Sequence, residues 1–497
     1  MSDLAERAAQ RFAGRTAISM DSAQSLSFTE INVRAARFAG GLCELGIAQG
    51  DRVVLYLPNC LEWIVAYHAI ARLGGVVVPA NILLTHSEVG FIAANSQARA
   101  IVCEGVASKS VKAALTISKA PTSILIVTGE SEAGVSFEQV ATGQSLPPRE
   151  TQPGDLFTIA YTSGTTGTPK GAMITHRAVY ESTTGTATIH VRHSGDKVLS
   201  ALPLPHVYGN VVMNAAFVAG YELFILAKFD AEHALQIIKS QRITLFEGVP
   251  TMYYQMLQSP DLKTAQLKSL TRCTVGGQTM PTASIEEVES RFGCPILELW
   301  GMTELAGPAT SHSPYWPSRH GSIGLPFPGL KARVVDLNNA ERPAPIGEKG
   351  ELQVRGSLVT RGYWKNSVAT SEALDPQGWL STGDVAIEDE DGYIFIVDRR
   401  KDMIITAGYN VYPAELEQVI AKHPAVAMAA VAAIPDKEKG ELAKAFIVLR
   451  QGQSCTEREM LAHCRSHLAA YKTPRLIAFV DDLPKTSTGK IMRRALA

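Results

Sequence analysis

An apolar run followed by a loop of glycines and small hydroxyl residues is the feature that most constrains this chain. The run Leu156–Tyr161 predicts a buried strand, and residues 162–171 follow it with the sequence TSGTTGTPKG. Glycines let a backbone approach an anion closely, and N–H groups, hydroxyls and a lysine suit phosphate oxygens. The loop is not a Walker A loop, because Pro169 stands where the second glycine would be. It predicts a nucleotide-phosphate site, since a polar surface turn rarely needs so many glycines and threonines.

A second stretch, residues 296–304 with the sequence ILELWGMTE, predicts a strand that ends in an aromatic ring, a glycine, a hydroxyl and a carboxylate. An aromatic ring can stack on a base, and a carboxylate can hold Mg²⁺. Trp300 as a core residue and Thr303 as a helix cap are the alternative reading of the same letters. The position of this stretch downstream of the phosphate loop favours a nucleotide site.

Several weaker signals are ambiguous when each is taken alone. Gly276-Gly277 ends a predicted strand and can be a tight turn or a close approach to a flat ligand. His206 and Tyr208 stand where a strand meets a helix, which suits a cleft, although a lone histidine is more often structural. Thr382-Gly383-Asp384 can be a common turn or a ribose acceptor, and Lys490 can be a surface lysine near the end of the chain.

Taken together and in this order, these motifs resemble those of the adenylate-forming superfamily, which includes acyl-CoA synthetases, non-ribosomal peptide adenylation domains and luciferases. The resemblance covers nearly the whole chain. It implies ATP and Mg²⁺ as cofactors, coenzyme A as a co-substrate and a small-molecule carboxylic acid as the second substrate. Lys490, Thr303 and Glu304 are implied to be catalytic, and Glu304 is also the implied Mg²⁺ ligand.

The resemblance further implies where each ligand binds. Cofactor-binding residues are implied at Thr162, Ser163, Gly164, Thr165, Thr166, Gly167, Lys170, Gly277, Glu298, Trp300, Gly301, Met302, Thr303, Asp384, Arg399, Lys401 and Gly408. Trp300 would lie against adenine, Asp384 and Arg399 would hold the ribose, and Gly408 would line the pantetheine tunnel. The acid would lie beside His206, Tyr208, Gly276 and Gln278. Lys401 would be the pivot of a domain rotation.

Short apolar strands that alternate with helices predict an α/β fold with parallel-type sheets. Capping boxes at Ser27–Glu30 and Thr85–Glu88 predict two helix starts. Strands with turn signals after Gly321 predict a β-rich unit, and the run of charged residues at 398–402 predicts a boundary. The predicted organisation is a large N-terminal domain (1–399) with two α/β subdomains (1–150 and 151–320) and a β-rich subdomain (321–399), a hinge (400–402) and a small mobile α+β C-terminal domain (403–497).

Composition excludes several other classes of protein. A formal net charge of -1 gives no electrostatic attraction for nucleic acid or an anionic membrane. No stretch is long and apolar enough for a membrane span, and Met1–Arg7 does not open a signal peptide. Seven scattered cysteines without a C-x-x-C pair suit reduced thiols, so a cytoplasmic location is expected. The sequence does not indicate the oligomeric state.

An ATP-dependent acid–CoA ligase is the leading interpretation, and two others stay open. One is an adenylating enzyme that loads a carrier protein, and the other is a nucleotide-binding protein without activity. The expected acid is a medium- or long-chain fatty acid, with aryl acids such as hydroxycinnamates or benzoates as the alternative. The segments expected to line the pocket carry no obvious basic residue, which disfavours a malonate-type diacid.

Overall fold

The computed structural model describes residues 1–21, 24–162, 169–263, 265–406, 409–436, 439–486 and 489–496. Its helices are α1 (Leu4–Phe12), α2 (Phe28–Glu44), α3 (Leu61–Leu73), α4 (His86–Ser96), α5 (Gly105–Ile117), α6 (Phe137–Val140), α7 (His176–Ile189), α8 (Val207–Ala219), α9 (Ala231–Gln241), α10 (Pro250–Gln258), α11 (Thr282–Phe292), α12 (Ser367–Ala373), α13 (Pro413–Ala421) and α14 (Glu457–His467). Short 3-10 turns lie at Pro260–Lys263, Thr303–Leu305, Arg400–Asp402 and Arg493–Ala495.

The strands belong to four sheets. In chain order they are β1 (Thr16–Met20), β2 (Ser25–Ser27), β3 (Arg52–Tyr56), β4 (Val76–Pro79), β5 (Ala100–Glu104), β6 (Ile124–Thr128), β7 (Val135–Ser136), β8 (Leu156–Thr162), β9 (Lys170–Thr175), β10 (Lys197–Ser200), β11 (Glu222–Ile225), β12 (Leu245–Gly248), β13 (Arg272–Val275), β14 (Ile296–Met302), β15 (Gly307–Ser311), β16 (Leu325–Pro326), β17 (Lys331–Val335), β18 (Gly350–Arg355), β19 (Leu380–Glu388), β20 (Ile394–Arg399), β21 (Ile404–Thr406), β22 (Tyr409–Val411), β23 (Val426–Asp436), β24 (Gly440–Leu449) and β25 (Leu476–Phe479).

Two large sheets form the body of the molecule and confirm the predicted α/β class. The seven-stranded sheet has the order β7-β6-β5-β3-β4-β8-β9, and its strands are parallel except for the antiparallel pair β8–β9. The nine-stranded sheet has the order β16-β15-β14-β13-β12-β10-β11-β1-β2, with a parallel centre and antiparallel edges. Strand residues such as Val53 and Val54 are fully buried, as expected when helices cover both faces of a sheet.

These two sheets interleave along the chain. Strands β1 and β2 come from the start of the chain but complete one edge of the nine-stranded sheet. Strands β8 and β9, which flank the predicted phosphate loop, join the seven-stranded sheet instead. The predicted subdomain limits near residue 150 therefore stay a prediction.

Local sequence signals set the helix starts as predicted. The Ser27 hydroxyl accepts a hydrogen bond from the Glu30 N–H (3.2 Å), and the Glu30 carboxylate accepts one from the Ser27 N–H (2.8 Å). Thr85 and Glu88 form the same reciprocal pair at the start of α4. Helix α2 ends just before Gly46, whose φ of 84° only glycine adopts without strain.

The β-rich unit predicted after Gly321 is a four-stranded antiparallel sheet, β17-β18-β19-β20, with its own apolar core. The C-terminal unit has its own five-stranded mixed sheet, which α13 and α14 cover. One face of that sheet packs against the main core of the large domain through Met428, Ala430, Phe446 and Val448. The C-terminal domain is therefore docked on the large domain in this structure.

The structure also gives the state of the cysteines and the lengths of the helices. All seven cysteines lie in the described part of the chain, and each is a free thiol. Among the described residues, every helix is too short or too polar to span a lipid bilayer.

Candidate active site

Lys490, from the C-terminal domain, lies against the large domain at Gly277. A Cβ atom added to Gly277 would lie 3.0 Å from Cε and 3.8 Å from Nζ of Lys490, so the absent side chain provides the space for the lysine. Gly277 also has a φ of 88°, which favours glycine. In this structure the space at Gly277 is taken by the lysine, and the predicted approach of a flat ligand to this glycine stays a prediction.

The charge of Lys490 is tuned by its surroundings. Burial lowers the pKa of the Lys490 ammonium to about 8, and the positive charge of Arg399 adds to this effect while Asp384 opposes it. His206 lies close enough to feel the same charge, and burial together with Lys490 lowers the pKa of its imidazole to about 3. At neutral pH the site thus holds a charged lysine beside a neutral histidine.

Acyl-adenylate formation is expected to slow as the pH rises through about 8, because a deprotonated Lys490 no longer neutralises two anions. The measurement is kcat/KM for the acid in ATP–pyrophosphate exchange between about pH 6 and pH 10, since this ratio reports pKa values of the free enzyme. The Lys490→Arg variant stays charged over this range, so its kcat/KM should not fall as the pH rises through about 8. If kcat/KM of Lys490→Arg falls with pH as in the wild type, the titrating group is not Lys490.

Asp384, Trp300 and Arg399 meet although 84 residues separate the first two. Asp384 Oδ2 accepts a hydrogen bond from Trp300 Nε1 at 2.8 Å, and Oδ1 lies 2.7 Å from Arg399 Nε. Asp384 on β19 is paired directly with Arg399 on β20, which places the guanidinium at the buried carboxylate. Burial raises the pKa of Asp384, and Arg399 and the Trp300 N–H oppose that rise. The carboxylate keeps free lone pairs that can accept ribose hydroxyls.

Glu304 and Lys170 meet at Tyr363. Glu304 is buried in the turn after β14, and its Oε1 accepts a hydrogen bond from the Tyr363 hydroxyl at 2.8 Å. Lys170 Nζ lies 5.5 Å from the centroid of the Tyr363 ring. The stems of the phosphate loop are therefore close to the carboxylate. No local pattern around Tyr363 pointed to it, so the sequence analysis missed this residue.

The environment of Glu304 fits Mg²⁺. This ion is usually held by one or two carboxylates, water and substrate phosphate oxygens rather than by a cage of protein ligands. The Glu304 carboxylate, which lies close to the stems of the phosphate loop, is the kind of single protein ligand that suits a phosphate-bound Mg²⁺.

The residues predicted to bind the acid have different surroundings. His206 caps α8, and its Nδ1 accepts a hydrogen bond from the Tyr208 N–H at 3.3 Å. The buried Tyr208 hydroxyl donates to Glu247 Oε2 at 3.0 Å and lies 2.7 Å from Thr274 Oγ1. Gln278 is half-buried, and its side-chain amide bonds to the backbone of Ile491. His206 is thus beside Lys490, while the hydroxyl of Tyr208 and the amide of Gln278 have protein partners.

Other predicted residues are explained in part by packing. A Cβ at Gly276 would lie 2.3 Å from Leu299 Cδ1, and one at Gly301 would lie 2.0 Å from the carbonyl oxygen of Gly307. Glu298 is buried, its Oε2 accepts a hydrogen bond from the Gly321 N–H at 3.0 Å, and burial raises its pKa to about 8. Contact of Glu298 and Gly301 with a nucleotide, and of Gly276 with the acid, stays a prediction.

The remaining predicted residues frame the site. Thr162 at the end of β8 is paired with Lys170 at the start of β9, while Thr303 opens the turn that carries Glu304. Met302 is half-buried against the β-rich core, and Lys401 is exposed in the turn at Arg400–Asp402. Ser163, Gly164, Thr165, Thr166, Gly167 and Gly408 lie outside the described residues.

Comparison with known proteins identifies the family to which this chain is similar. Residues 5–364 match the model of the AMP-binding enzyme family, and residues 415–490 match that of the AMP-binding enzyme C-terminal domain. A long-chain-fatty-acid–CoA ligase of Bacillus subtilis (strain 168) is 35% identical over 523 residues, covering 98% of this chain and 92% of the relative. A 2-succinylbenzoate–CoA ligase of Geobacillus kaustophilus (strain HTA426) is 34% identical over 484 residues, covering 97% of this chain and 94% of the relative.

Among solved structures, ATP-bound MatB from Rhodopseudomonas palustris superposes with a TM-score of 0.91 at 31% sequence identity, covering 100% of this chain and 98% of that one. The match to the family model spans most of the chain, the C-terminal model covers the lysine loop, and the curated relatives align over nearly their whole length. The chain therefore belongs to the AMP-binding enzyme family of the adenylate-forming superfamily.

Proposed function

We propose that this acid–CoA ligase activates a medium- or long-chain fatty acid. The acid carboxylate attacks the α-phosphorus of ATP, which gives acyl-AMP and releases pyrophosphate. The thiol of coenzyme A then attacks the acyl carbon and releases AMP. The observation that carries the proposal is Lys490 beside Gly277, where one ammonium from the C-terminal domain reaches the large domain at the site of Asp384 and Arg399.

Each part of the site takes one task in the first half-reaction. Lys490 contacts the carboxylate and the α-phosphate, which reduces the repulsion between two anions as charge develops in the transition state. Asp384 and Arg399 hold the ribose, and Trp300 fixes the Asp384 carboxylate through its N–H. Thr303 contacts the α-phosphate. Glu304 would hold Mg²⁺, which supplies further neutralisation of phosphate charge when it is bound.

The remaining residues complete the nucleotide site. The loop that begins at Thr162 and ends at Lys170 binds the β- and γ-phosphates, with residues 163–167 as its body. Gly277, Glu298, Gly301 and Met302 form the adenine side of the cleft.

The second half-reaction needs the C-terminal domain to move. Lys490 occupies the place where the carboxylate reacts, so we propose that this domain rotates about Lys401 and withdraws the lysine. Lys401 is exposed in the short turn Arg400–Asp402, which joins the two domains. Gly408 and its neighbours would then line the path of the pantetheine arm.

Charge around His206 supports a neutral acyl tail. His206 itself is uncharged at neutral pH because its pKa is about 3. Lys490 is assigned to the reacting anions and Arg399 to the ribose, and the buried Arg192 behind Tyr208 is paired with Glu247 at 2.5 Å. Among the described residues of this region, we assign no further cation to pair with a second carboxylate of a diacid substrate. A fatty acid fits this environment, and the B. subtilis relative is named for long-chain fatty acids.

An aryl acid is the second candidate. The Tyr208 hydroxyl is anchored to Glu247 and Thr274, which fixes its ring at the start of α8 beside His206. A fixed aromatic ring suits a flat substrate, and the relative from G. kaustophilus is named for 2-succinylbenzoate.

The cellular location is a separate proposal: the free thiols lead us to expect a cytoplasmic protein.

An acid panel tests the choice of substrate. Octanoate, palmitate, benzoate, 4-hydroxycinnamate and malonate are compared by the CoA-dependent release of AMP. We expect kcat/KM for octanoate or palmitate to exceed that for benzoate and 4-hydroxycinnamate by at least about tenfold, because each buried methylene adds about 0.8 kcal/mol. A preference for the aryl acids would select the second candidate, and a preference for malonate would contradict both. Acyl-AMP without any thioester would favour a carrier protein as the acceptor.

A further inference from the structure

We propose that Gln278 is a positioning residue that holds Lys490 in place for acyl-adenylate formation, together with Thr251. This inference rests on the proposed function, in which Lys490 acts in the first half-reaction and withdraws for the second. It assigns the side-chain amide of Gln278 to the lysine loop and not to the acid.

The contacts of Gln278 are specific to the residue after Lys490. Gln278 Nε2 donates a hydrogen bond to the Ile491 carbonyl oxygen at 3.1 Å, and Gln278 Oε1 accepts one from the Ile491 N–H at 2.8 Å. The amide therefore satisfies both backbone groups of a single residue, as a neighbouring strand would. An alanine at position 278 cannot make either bond, and a glutamate cannot donate the first one.

A second contact holds the residue before Lys490. The Thr251 hydroxyl, at the start of α10, donates to the carbonyl oxygen of Gly489 at 2.8 Å. Gly489 has a φ of 77°, and a Cβ there would lie 3.1 Å from Thr251 Oγ1. The loop is thus fixed on both sides of Lys490 by side chains of the large domain, and the lysine stem lies over Gly277 between them.

Each of these bonds joins the two domains. Gln278 and Ile491 are 213 residues apart, and Thr251 and Gly489 are 238 residues apart. A rotation that withdraws Lys490 breaks these bonds, so they stabilise only the state in which the lysine is in the site. Interactions present in one state alone shift the equilibrium toward that state. Their loss should slow adenylation without slowing thiolysis.

The same interface offers a matched control at a distance from Lys490. Arg450 binds Glu287 on α11 with both terminal nitrogens, at 2.9 and 2.7 Å. This pair also joins the C-terminal domain to the large domain, but it does not touch the lysine loop. Comparing Gln278 with Arg450 separates the positioning of Lys490 from general docking of the domain.

The experiment measures the two half-reactions in Gln278→Ala, Gln278→Glu, Thr251→Val and Arg450→Gln. Acid-dependent ATP–pyrophosphate exchange reports adenylation, and conversion of supplied octanoyl-AMP with coenzyme A reports thiolysis. For Gln278→Ala we expect kcat of exchange to fall about tenfold to a hundredfold, from the loss of two hydrogen bonds that orient the reacting group. KM for the acid should change little, and thiolysis should be unchanged or faster. Gln278→Glu and Thr251→Val should show smaller losses with the same split.

Several outcomes would overturn the inference. A raised KM for the acid with unchanged kcat would show that Gln278 contacts the substrate instead. Equal losses in both half-reactions would show a general structural role, as would a split of the same size in Arg450→Gln. Thermal melting of each variant identifies a folding defect, and in that case Gln278→Glu carries the test. A wild-type protein without acid-dependent exchange would contradict the proposed function itself, whereas exchange in Gln278→Ala at the wild-type rate would contradict only the role of Gln278.

Discussion

Replacing Lys490 with alanine is expected to lower the rate of acyl-adenylate formation by about a hundredfold to a thousandfold. Lys490 is the group that reaches Gly277 from the C-terminal domain, and burial keeps its ammonium in a poorly hydrated site where its charge acts strongly. Losing one such electrostatic contact in the transition state costs about 3–4 kcal/mol in comparable sites. The measurement is ATP–pyrophosphate exchange at saturating acid.

Thiolysis separates this loss from a general defect. Lys490→Ala should convert supplied acyl-AMP and coenzyme A at close to the wild-type rate, because the lysine is withdrawn in that step. Lys485→Ala is the matched control, since Lys485 lies in the same loop but its ammonium is paired with Asp482 at 2.6 and 2.7 Å. An equal loss of both half-reactions in Lys490→Ala would contradict the proposal of two domain orientations.

The sequence predicted the parts of this site that are written in short local patterns. A strand, a glycine and a carboxylate follow one another at residues 296–304, and the structure places Glu304 in the turn that directly follows β14. Asp384, Arg399 and Lys490 were implied by the family resemblance, and the structure brings all three into electrostatic contact, while their roles stay predictions. The capping boxes and the short strand and turn signals after Gly321 depend only on neighbouring residues, which explains why those predictions were confirmed.

Contacts between distant segments were not predictable in the same way. Nothing adjacent to Gln278 indicates that its amide meets Ile491, because that contact exists only once the C-terminal domain docks. Tyr363 was missed for the same reason, since its partner Glu304 lies 59 residues away. Gly276 was predicted as a tight turn or a ligand approach, and its packing against Leu299 is a long-range contact that neither alternative named. Strand pairing is likewise long-range: β1 and β2 belong to the predicted first subdomain in sequence, but β1 pairs with β11 in the nine-stranded sheet.

The buried ion pair under Tyr208 is another long-range contact that the sequence did not show. Arg192 and Glu247 are both fully buried, with Nη2 and Oε1 2.5 Å apart. Glu247 Oε2 accepts a hydrogen bond from Tyr208 at 3.0 Å, and Arg192 Nη1 donates to the Tyr221 hydroxyl at 2.9 Å. The pair thus fixes Tyr208 at the start of α8, next to His206, so a change here reaches the acid-binding side of the site.

Breaking that pair is expected to cause a large loss of stability in the large domain. Glu247→Leu leaves the Arg192 guanidinium buried without a counter-charge, which should lower the free energy of unfolding by about 3–5 kcal/mol. The double variant Arg192→Met/Glu247→Leu should recover most of this loss, because a buried ion pair gains little over apolar residues of similar volume. The measurement is the free energy of unfolding from urea titration.

An exposed pair provides the control for this experiment. Arg319 Nη2 and Asp391 Oδ2 are 2.7 Å apart, but the two side chains are 42% and 67% exposed, so Asp391→Ala should leave the free energy of unfolding nearly unchanged. A double variant as unstable as Glu247→Leu would show that the hydrogen bonds of Glu247 to Tyr208 and Thr274, and not the charge of Arg192, account for the loss. In that case Tyr208→Phe should reproduce part of it, since this change removes one of those bonds while keeping the ring that lies beside His206.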